Sequence, residues 1–392
     1  GVLSALCQTV VADVVPFERR GRAMGIYGIG VVLAPAIGPT LGGWLTDSYD
    51  WRWVFYMGLP TSVAGMLLGS VFLPGRLGTD KPRRFDFFGL LLLTLFLVIS
   101  LYAVANGQRN GWDSNLIVGL SWSGAVLLLA FIVWELRTPE PMVNLKVFSI
   151  SRYAAAAVVA LIFGAGIYGS SYLVPLFVQT VQGYTPTRAG ELLIPGGLIL
   201  GIVFPIAGRL TDRLPAYAMI ATGLFIFGLS NLLLYDVAVD TSFWRMALLV
   251  MLGRVGLGVM MPALNAGALS VLPAEMLAQG TGTINFVRQL GGAFGVSLLS
   301  AATEMRFAFH ADALTTTQTA SNGTTLELIN RVATLDGVWG VPGTQSMAGA
   351  LNYLGQILAT QAQSLAYGDG FALVGVVFWM GILPALWMRR KH

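Results

Sequence analysis

A chain of 392 residues that is 55% hydrophobic and only 11% charged is not an ordinary soluble protein, which carries about 25% charged residues. Its net charge of +4 sits in short loops between apolar runs, which excludes nucleic acid as a partner along with the soluble enzyme classes. A single cysteine, Cys7, rules out an internal disulfide and a cysteine metal centre, and two histidines, His310 and His392, leave little for a histidine-based one. The 48 glycines and 17 prolines fall inside the apolar runs, as they do in packed transmembrane helices.

The chain opens at Gly1, without Met and inside an apolar stretch. It therefore reads as an amino-terminally truncated piece of a longer protein, with no targeting segment ahead of it. About 20 apolar residues are needed to cross a bilayer as a helix, and eleven segments meet or approach that length. Gly1–Val15 is read as the tail of a helix. It is followed by Gly21–Leu45, Trp53–Leu73, Phe87–Ala105, Leu116–Leu136, Tyr153–Val178, Ala189–Ala207, Tyr217–Tyr235, Trp244–Val271, Gly280–Ala302 and Phe371–Trp387. The runs are too long for barrel strands, so the expected fold is an all-α polytopic membrane helix bundle. Of the 23 Lys and Arg residues, fifteen fall on one face of this alternation and six on the other. The positive-inside rule makes the richer face, with the carboxyl terminus, cytoplasmic. One linker is long: Thr303 to Gly370, on the non-cytoplasmic side, mixes a polar tract with amphipathic pieces. It is read as a partly helical loop, or as a small cap or partner surface.

Only Arg254 and Arg288 lie inside spans, each about ten residues in and so near mid-membrane. A charge at that depth costs at least roughly 2.5–3.5 kcal/mol on insertion scales and normally faces a cavity or a partner. Arg288 has Asn285 and Gln289 beside it. Either arginine would position a coupling carboxylate, contact a substrate, or form a structural pair. No carboxylate lies deep in a span; Glu191 and Glu135 are near span ends. Residues 1–25 and 258–282 align without gaps at an offset of 257, sharing Pro16/Pro273, Glu18/Glu275 and Gly25/Gly282, with Gly38/Gly295 continuing the match. Both copies read as helix, Pro-x-Glu turn and Gly-rich helix, the mark of a parallel transporter repeat.

Within Gly21–Leu45, GVVLAPAIGPTLGGWL places Gly30, Ala34, Gly38 and Gly42 every fourth residue on one face. Small residues there let another backbone come close, either as plain packing or as a rigid seam that seals a gate. The run resembles the GxxxGPxxGG signature of drug–proton antiporters of the major facilitator superfamily. Gly38, Pro39, Gly42 and Gly43 match, while Ala34 and Pro35 stand where a Gly-Pro pair is usual. RRFDFFGLLLL (83–93) is similar to the start of the helix pair inserted between the two halves in the 14-helix EmrB/QacA type. AGRLTDRLPAY (207–217) resembles that superfamily's gating loop through Gly208, Leu210, Asp212 and Arg213. Asp212 and Arg213 sit in a tight cytoplasmic turn, where the Asp would cap the next helix and pair with an Arg as a gating latch, or the turn would simply be solvated.

The resemblance spans essentially the whole chain and implies about eleven of fourteen helices. Residues 1–73 would be the rest of the amino-terminal half, 74–152 the inserted pair, and 153–392 the carboxy-terminal six-helix half with the loop 303–370. It implies export of lipophilic compounds in exchange for protons, by alternating access in the cytoplasmic (inner) membrane, with no cofactor beyond the proton gradient. It also implies a coupling Asp in a helix upstream of Gly1. A cavity lined by Met24, Tyr27, Tyr168, Tyr172, Gln179, Asn265, Asn285, Phe286 and Gln289 would suit varied lipophilic ligands. Alternative readings are a carrier for a physiological solute, such as a metabolite or siderophore, or a membrane subunit docking a periplasmic adaptor and outer-membrane channel. An enzyme is disfavoured, because no His, Asp, Glu or Cys cluster stands at metal or nucleophile spacing.

Overall fold

The computed structural model describes residues 30, 37–72, 85–273, 276–319, 321–338 and 343–389. All regular structure among them is helical. The helices are α1 (37–48), α2 (Arg52–Phe72), α3 (Phe87–Asn110), α4 (Asn115–Arg137), α5 (Ser151–Thr180), α6 (Pro186–Glu191) and α7 (Ile194–Thr211). They continue with α8 (Ala216–Leu233), α9 (Phe243–Leu269), α10 (Leu277–Thr316), α11 (Gly323–Val338), α12 (Gly343–Met380) and α13 (Ile382–Trp387). Several starts are set by capping side chains. Asp86, Ser114, Thr185 and Ser242 accept hydrogen bonds from the backbone N–H three residues on, at Gly89, Ile117, Arg188 and Arg245.

Eight helices among the described residues are long and apolar enough to cross a membrane. They match eight of the eleven segments expected. Gly1–Val15 and most of Gly21–Leu45 lie outside the described residues. The eleventh, Gly280–Ala302, is the first part of the 40-residue α10 and does not reach that apolarity, because it carries Asn285, Arg288 and Gln289.

The long linker is not a loop. α10 runs without a break from Leu277 to Thr316, α11 packs along α12, and α12 runs from Gly343 into the final span. At 1.5 Å per residue α10 is about 60 Å long, twice a hydrocarbon core of about 30 Å. Its far part and the near part of α12 therefore project as a helical hairpin. This end of the bundle is called the hairpin end.

The main core lies among α5, α8, α9, α10 and α12, around Phe163, Phe177, Phe371 and Phe378. Lipid gives helices no hydrophobic reason to associate, so close backbone contact and interhelical hydrogen bonds must do so. Two glycine seams supply the contact. Along α5 and α10, a Cβ at Gly291 would strike the backbone of Leu161, and one at Gly295 would lie 2.5 Å from Cα of Ala165. Between α8 and α9, Gly223 and Gly256 face each other, each meeting the other's carbonyl oxygen. The hydroxyls of Tyr153 and Ser230 add bonds to the carbonyls of Gly280 and Leu249, both 2.7 Å, each worth about 0.6 kcal/mol in a membrane. The α3–α4 pair has its own small core of Leu92, Leu93, Phe131 and Val143, and docks on α10, where Phe96 meets Phe294.

Candidate functional site

Arg254 and Arg288 each lie eleven residues into their helices, about 16 Å from the first residue and so near mid-span. The Arg288 carbonyl lies beside Gly164 of α5, and the Arg254 guanidinium reaches Ser171, about 10 Å further along that helix. α5 stands between them. Nη2 of Arg254 donates to Oγ of Ser171 at 3.1 Å, and the Tyr168 hydroxyl donates to Oε1 of Gln289 at 3.1 Å. Residues 168 and 171 are three apart and share a helix face. Nη2 of Arg288 donates to Oδ1 of Asn285 at 2.5 Å, and Asn285 in turn donates to the carbonyl of Thr281 at 3.0 Å. The result is a polar belt across α9, α5 and α10. Gly164 lets the Arg288 carbonyl press against α5, which fixes the height of that guanidinium.

The other cavity residues divide. Tyr172 lies hydroxyl to hydroxyl with Ser300 at 3.3 Å and lines a cavity of about 250 Å³ toward the hairpin end. Gln179 turns back to the carbonyl of Pro175, 3.1 Å, and Asn265 is half-buried. Phe286 does not join the belt. It packs on the α3–α4 core with Leu92, Leu93, Phe131 and Val143, because its position on α10 faces the inserted pair. Met24 and Tyr27 lie outside the described residues.

The small-residue run of α1 also differs from expectation. Ala34 and Pro35 lie outside the described residues, and Gly30 is helical and exposed. Among the described residues, a Cβ at Gly30 or Gly38 meets nothing within 4 Å, and at Gly42 only Val54 at 3.9 Å. The close approach is made by Gly43, one residue round the helix, whose Cβ would lie 2.8 Å from the amide nitrogen of Thr187. Gly190 answers it, meeting Cα of Thr40 at 2.5 Å and the carbonyl oxygen of Pro39 at 2.7 Å. Asp47 closes the contact by accepting both the Thr187 amide, at 2.8 Å, and its hydroxyl. Thr187 thereby holds the Asp47 carboxyl below the ordinary carboxylate range, against slight burial that pulls the other way. Thus α1 and α6 meet at the hairpin end, while α2 is exposed along almost all of its described length.

The gating loop is a solvent-exposed turn. Asp212 ends α7 and Arg213 follows; both are exposed, and Gly208 faces open space. Asp212 does not cap α8, whose N-cap is Pro215 with no side-chain bond. Neither residue forms an ion pair among the described residues.

One buried carboxylate went unrecognised in the sequence. Glu135 is 3% exposed, the only fully buried charged side chain among the described residues. One of its oxygens accepts the Val143 amide at 3.2 Å and the other has no partner. It sits at the end of α4 remote from the belt. Burial here comes from the chain folding back at 138–143, for which the sequence carries no periodic signal.

A polar belt inside an otherwise apolar helix bundle defines a membrane transport protein. Residues 1–296 match the Major Facilitator Superfamily family model, and the chain belongs to that superfamily. It is 30% identical over 311 residues to the uncharacterized transporter YhcA of Bacillus subtilis, covering 79% of this chain and 58% of that protein. It is 31% identical over 316 residues to a multidrug resistance protein B homologue of Mycobacterium tuberculosis, covering 76% and 56%. Against the multidrug export protein EmrB of Haemophilus influenzae it is 27% identical over 100% of this chain and 75% of that one. The chain thus spans about three fifths of the length of the first of these relatives. Among solved structures it resembles a bacterial homologue of the lysosomal transporter Spinster in an inward-facing, occupied conformation. That likeness has a TM-score of 0.53 at 13% identity, over 97% of this chain and 72% of that one. At that identity it speaks for the fold.

Proposed function

We propose that this chain forms most of a secondary active exporter that moves lipophilic compounds outward in exchange for protons, by alternating access. The observation that carries the reading is the belt of Arg254, Ser171, Tyr168, Gln289, Asn285 and Arg288 at mid-span. Charges that deep are costly unless they face a cavity or a partner, and aromatic and amide groups around them suit varied ligands. The names of the multidrug relatives support the substrate class. On this reading the substrate path runs between residues 1–73 and 153–392, the two parts flanking the inserted 74–152.

With the carboxyl terminus cytoplasmic, the hairpin end is non-cytoplasmic. The α1–α6 contact then lies on the outer side. The proton gradient supplies the energy, and no cofactor takes part. The α10–α12 hairpin is the surface on which a periplasmic adaptor would dock.

A carrier for a physiological solute is the second reading. It is favoured by Arg254 facing a neutral hydroxyl, which leaves its charge suited to an anionic solute group. Resistance profiling of a strain expressing the full-length protein separates them. Lower sensitivity to several unrelated lipophilic compounds supports export; an unchanged profile with altered uptake of one metabolite supports the carrier.

A further inference from the structure

At the hairpin end, α10 and α12 are joined by a three-residue charged cluster outside the belt. Oδ2 of Asp369 receives both Nε of Arg306, at 2.5 Å, and Nε2 of His310, at 2.7 Å. Nη2 of Arg306 lies 3.5 Å from that same His310 nitrogen. His310 is 17% exposed and Asp369 23%, so the cluster is sheltered yet reaches water. The helices touch beside it, since a Cβ at Gly370 would lie 3.1 Å from Oγ1 of Thr303. Thr303, Glu304 and Tyr367 also line the 250 Å³ cavity that leads toward Tyr172.

We propose that His310 is a proton-binding site on the outer side of the transporter, and that its charge sets the grip between α10 and α12. Imidazole is the side chain that exchanges protons between pH 5 and 8. Because a carboxylate oxygen accepts, Nε2 carries a hydrogen in both states. The added proton, delivered by hydronium from outside water, therefore goes to Nδ1 and leaves by the same route. Uptake raises the charge of the cluster from zero to +1. Two cations 3.5 Å apart then share one oxygen, so His310 is drawn to Asp369 while Arg306 is pushed from it. Arg306 already lies 4.5 Å over the ring of Phe309, which offers it a second resting place. α10 is continuous from Leu277 to Thr316, so a change of grip at His310 acts on the element that carries Arg288.

The ionisable groups around His310 are few. α10 adds Arg306 and Glu304, α12 adds Asp369 and Tyr367, and α5 adds Tyr172 across the cavity. Tyr102 and Arg109 of α3 make no ion pair with the cluster among the described residues, and Arg245 of α9 pairs with Asp236 at 3.7 Å. Asp47 offers no such response. Its carboxyl is held low, so physiological acidification leaves the α1–α6 contact in place.

The protonation itself does not depend on the export reading; its consequence for turnover does. The full-length protein in proteoliposomes would be assayed for export of a fluorescent lipophilic dye as outer-side pH is varied from 5 to 8 at fixed inner pH. Histidine-labelled protein would be titrated by NMR in parallel. The expected result is a His310 signal that titrates in this range and vanishes in His310→Gln. The export profile flattens in that variant, and its midpoint moves about one unit lower in Asp369→Asn, which removes the charge favouring the imidazolium. Folding of each variant is checked by its thermal transition; if Asp369→Asn fails to fold, Arg306→Gln replaces it, and the midpoint then moves higher, because a cation beside the imidazole is removed. A His310 signal that does not titrate, or proton-driven export with a wild-type profile in His310→Gln, overturns the proposal. A titrating His310 in a protein that shows no proton-driven export overturns the exchange reading instead.

Discussion

The α1–α2 segment and the α5–α13 bundle are both rich in apolar and small residues, yet they pack differently. In the bundle, Gly164, Gly291 and Gly295 bring α5 and α10 into backbone contact, and the rings of Phe227 and Phe378 meet at a 40° tilt with centroids 4.2 Å apart. In α1–α2, Gly38 meets no neighbour among the described residues, and the apolar side chains of Val63, Met66 and Val71 are exposed. Among the described residues, Pro39, Thr40, Gly43 and Asp47 tie the segment to the bundle, through α6. Small residues thus serve two purposes in one chain. In the bundle they weld helices into a unit; in α1 the described ones make one close contact, with α6.

The sharpest way to break this contrast is to fill one glycine from each region. Gly291→Leu drives a side chain into the backbone of Leu161 and should cost about 3 kcal/mol or more, by overpacking. The expected result is loss of most folded protein in size-exclusion profiles. Gly38→Leu should leave the thermal transition nearly unchanged, within about 0.5 kcal/mol, and be felt in transport. Equal destabilisation by the two would erase the distinction. Gly43→Leu should act between these extremes. It leaves the bundle folded but separates α1 from α6, which a crosslink between cysteines placed at Thr40 and Gly190 would report as reduced yield.

The smallest effect concerns acid. Because Thr187 holds the Asp47 carboxyl low, the stabilisation it gives is complete above the ordinary carboxylate value. It is lost only as pH falls through the lowered one. The same crosslink should therefore be constant from pH 8 to pH 5. A yield that falls within that range would assign the contact to another titrating group.

Eight spans were legible because length and apolarity suffice for them. The α10–α12 hairpin was not, since its helices leave the membrane and their polar outer turns read as linker. Arg254 and Arg288 stood out as charges at depth and Asn285 as a neighbour of Arg288, but Ser171, the partner of Arg254, carries no signal. Phe286 shows the limit of periodicity: helical spacing gives a face, not the neighbour that the face meets. Glu135 shows that depth along a helix and burial are different quantities. The His310–Asp369 pair spans 59 residues and becomes visible only when α10 and α12 lie side by side.

The belt is the centre of the account, and Arg254→Gln tests it most directly. The initial rate of gradient-driven dye export by the full-length protein in proteoliposomes should fall at least about tenfold, a loss of about 1.4 kcal/mol, with an unchanged thermal transition. Export at the wild-type rate in a folded Arg254→Gln protein would contradict the assignment of the belt to transport.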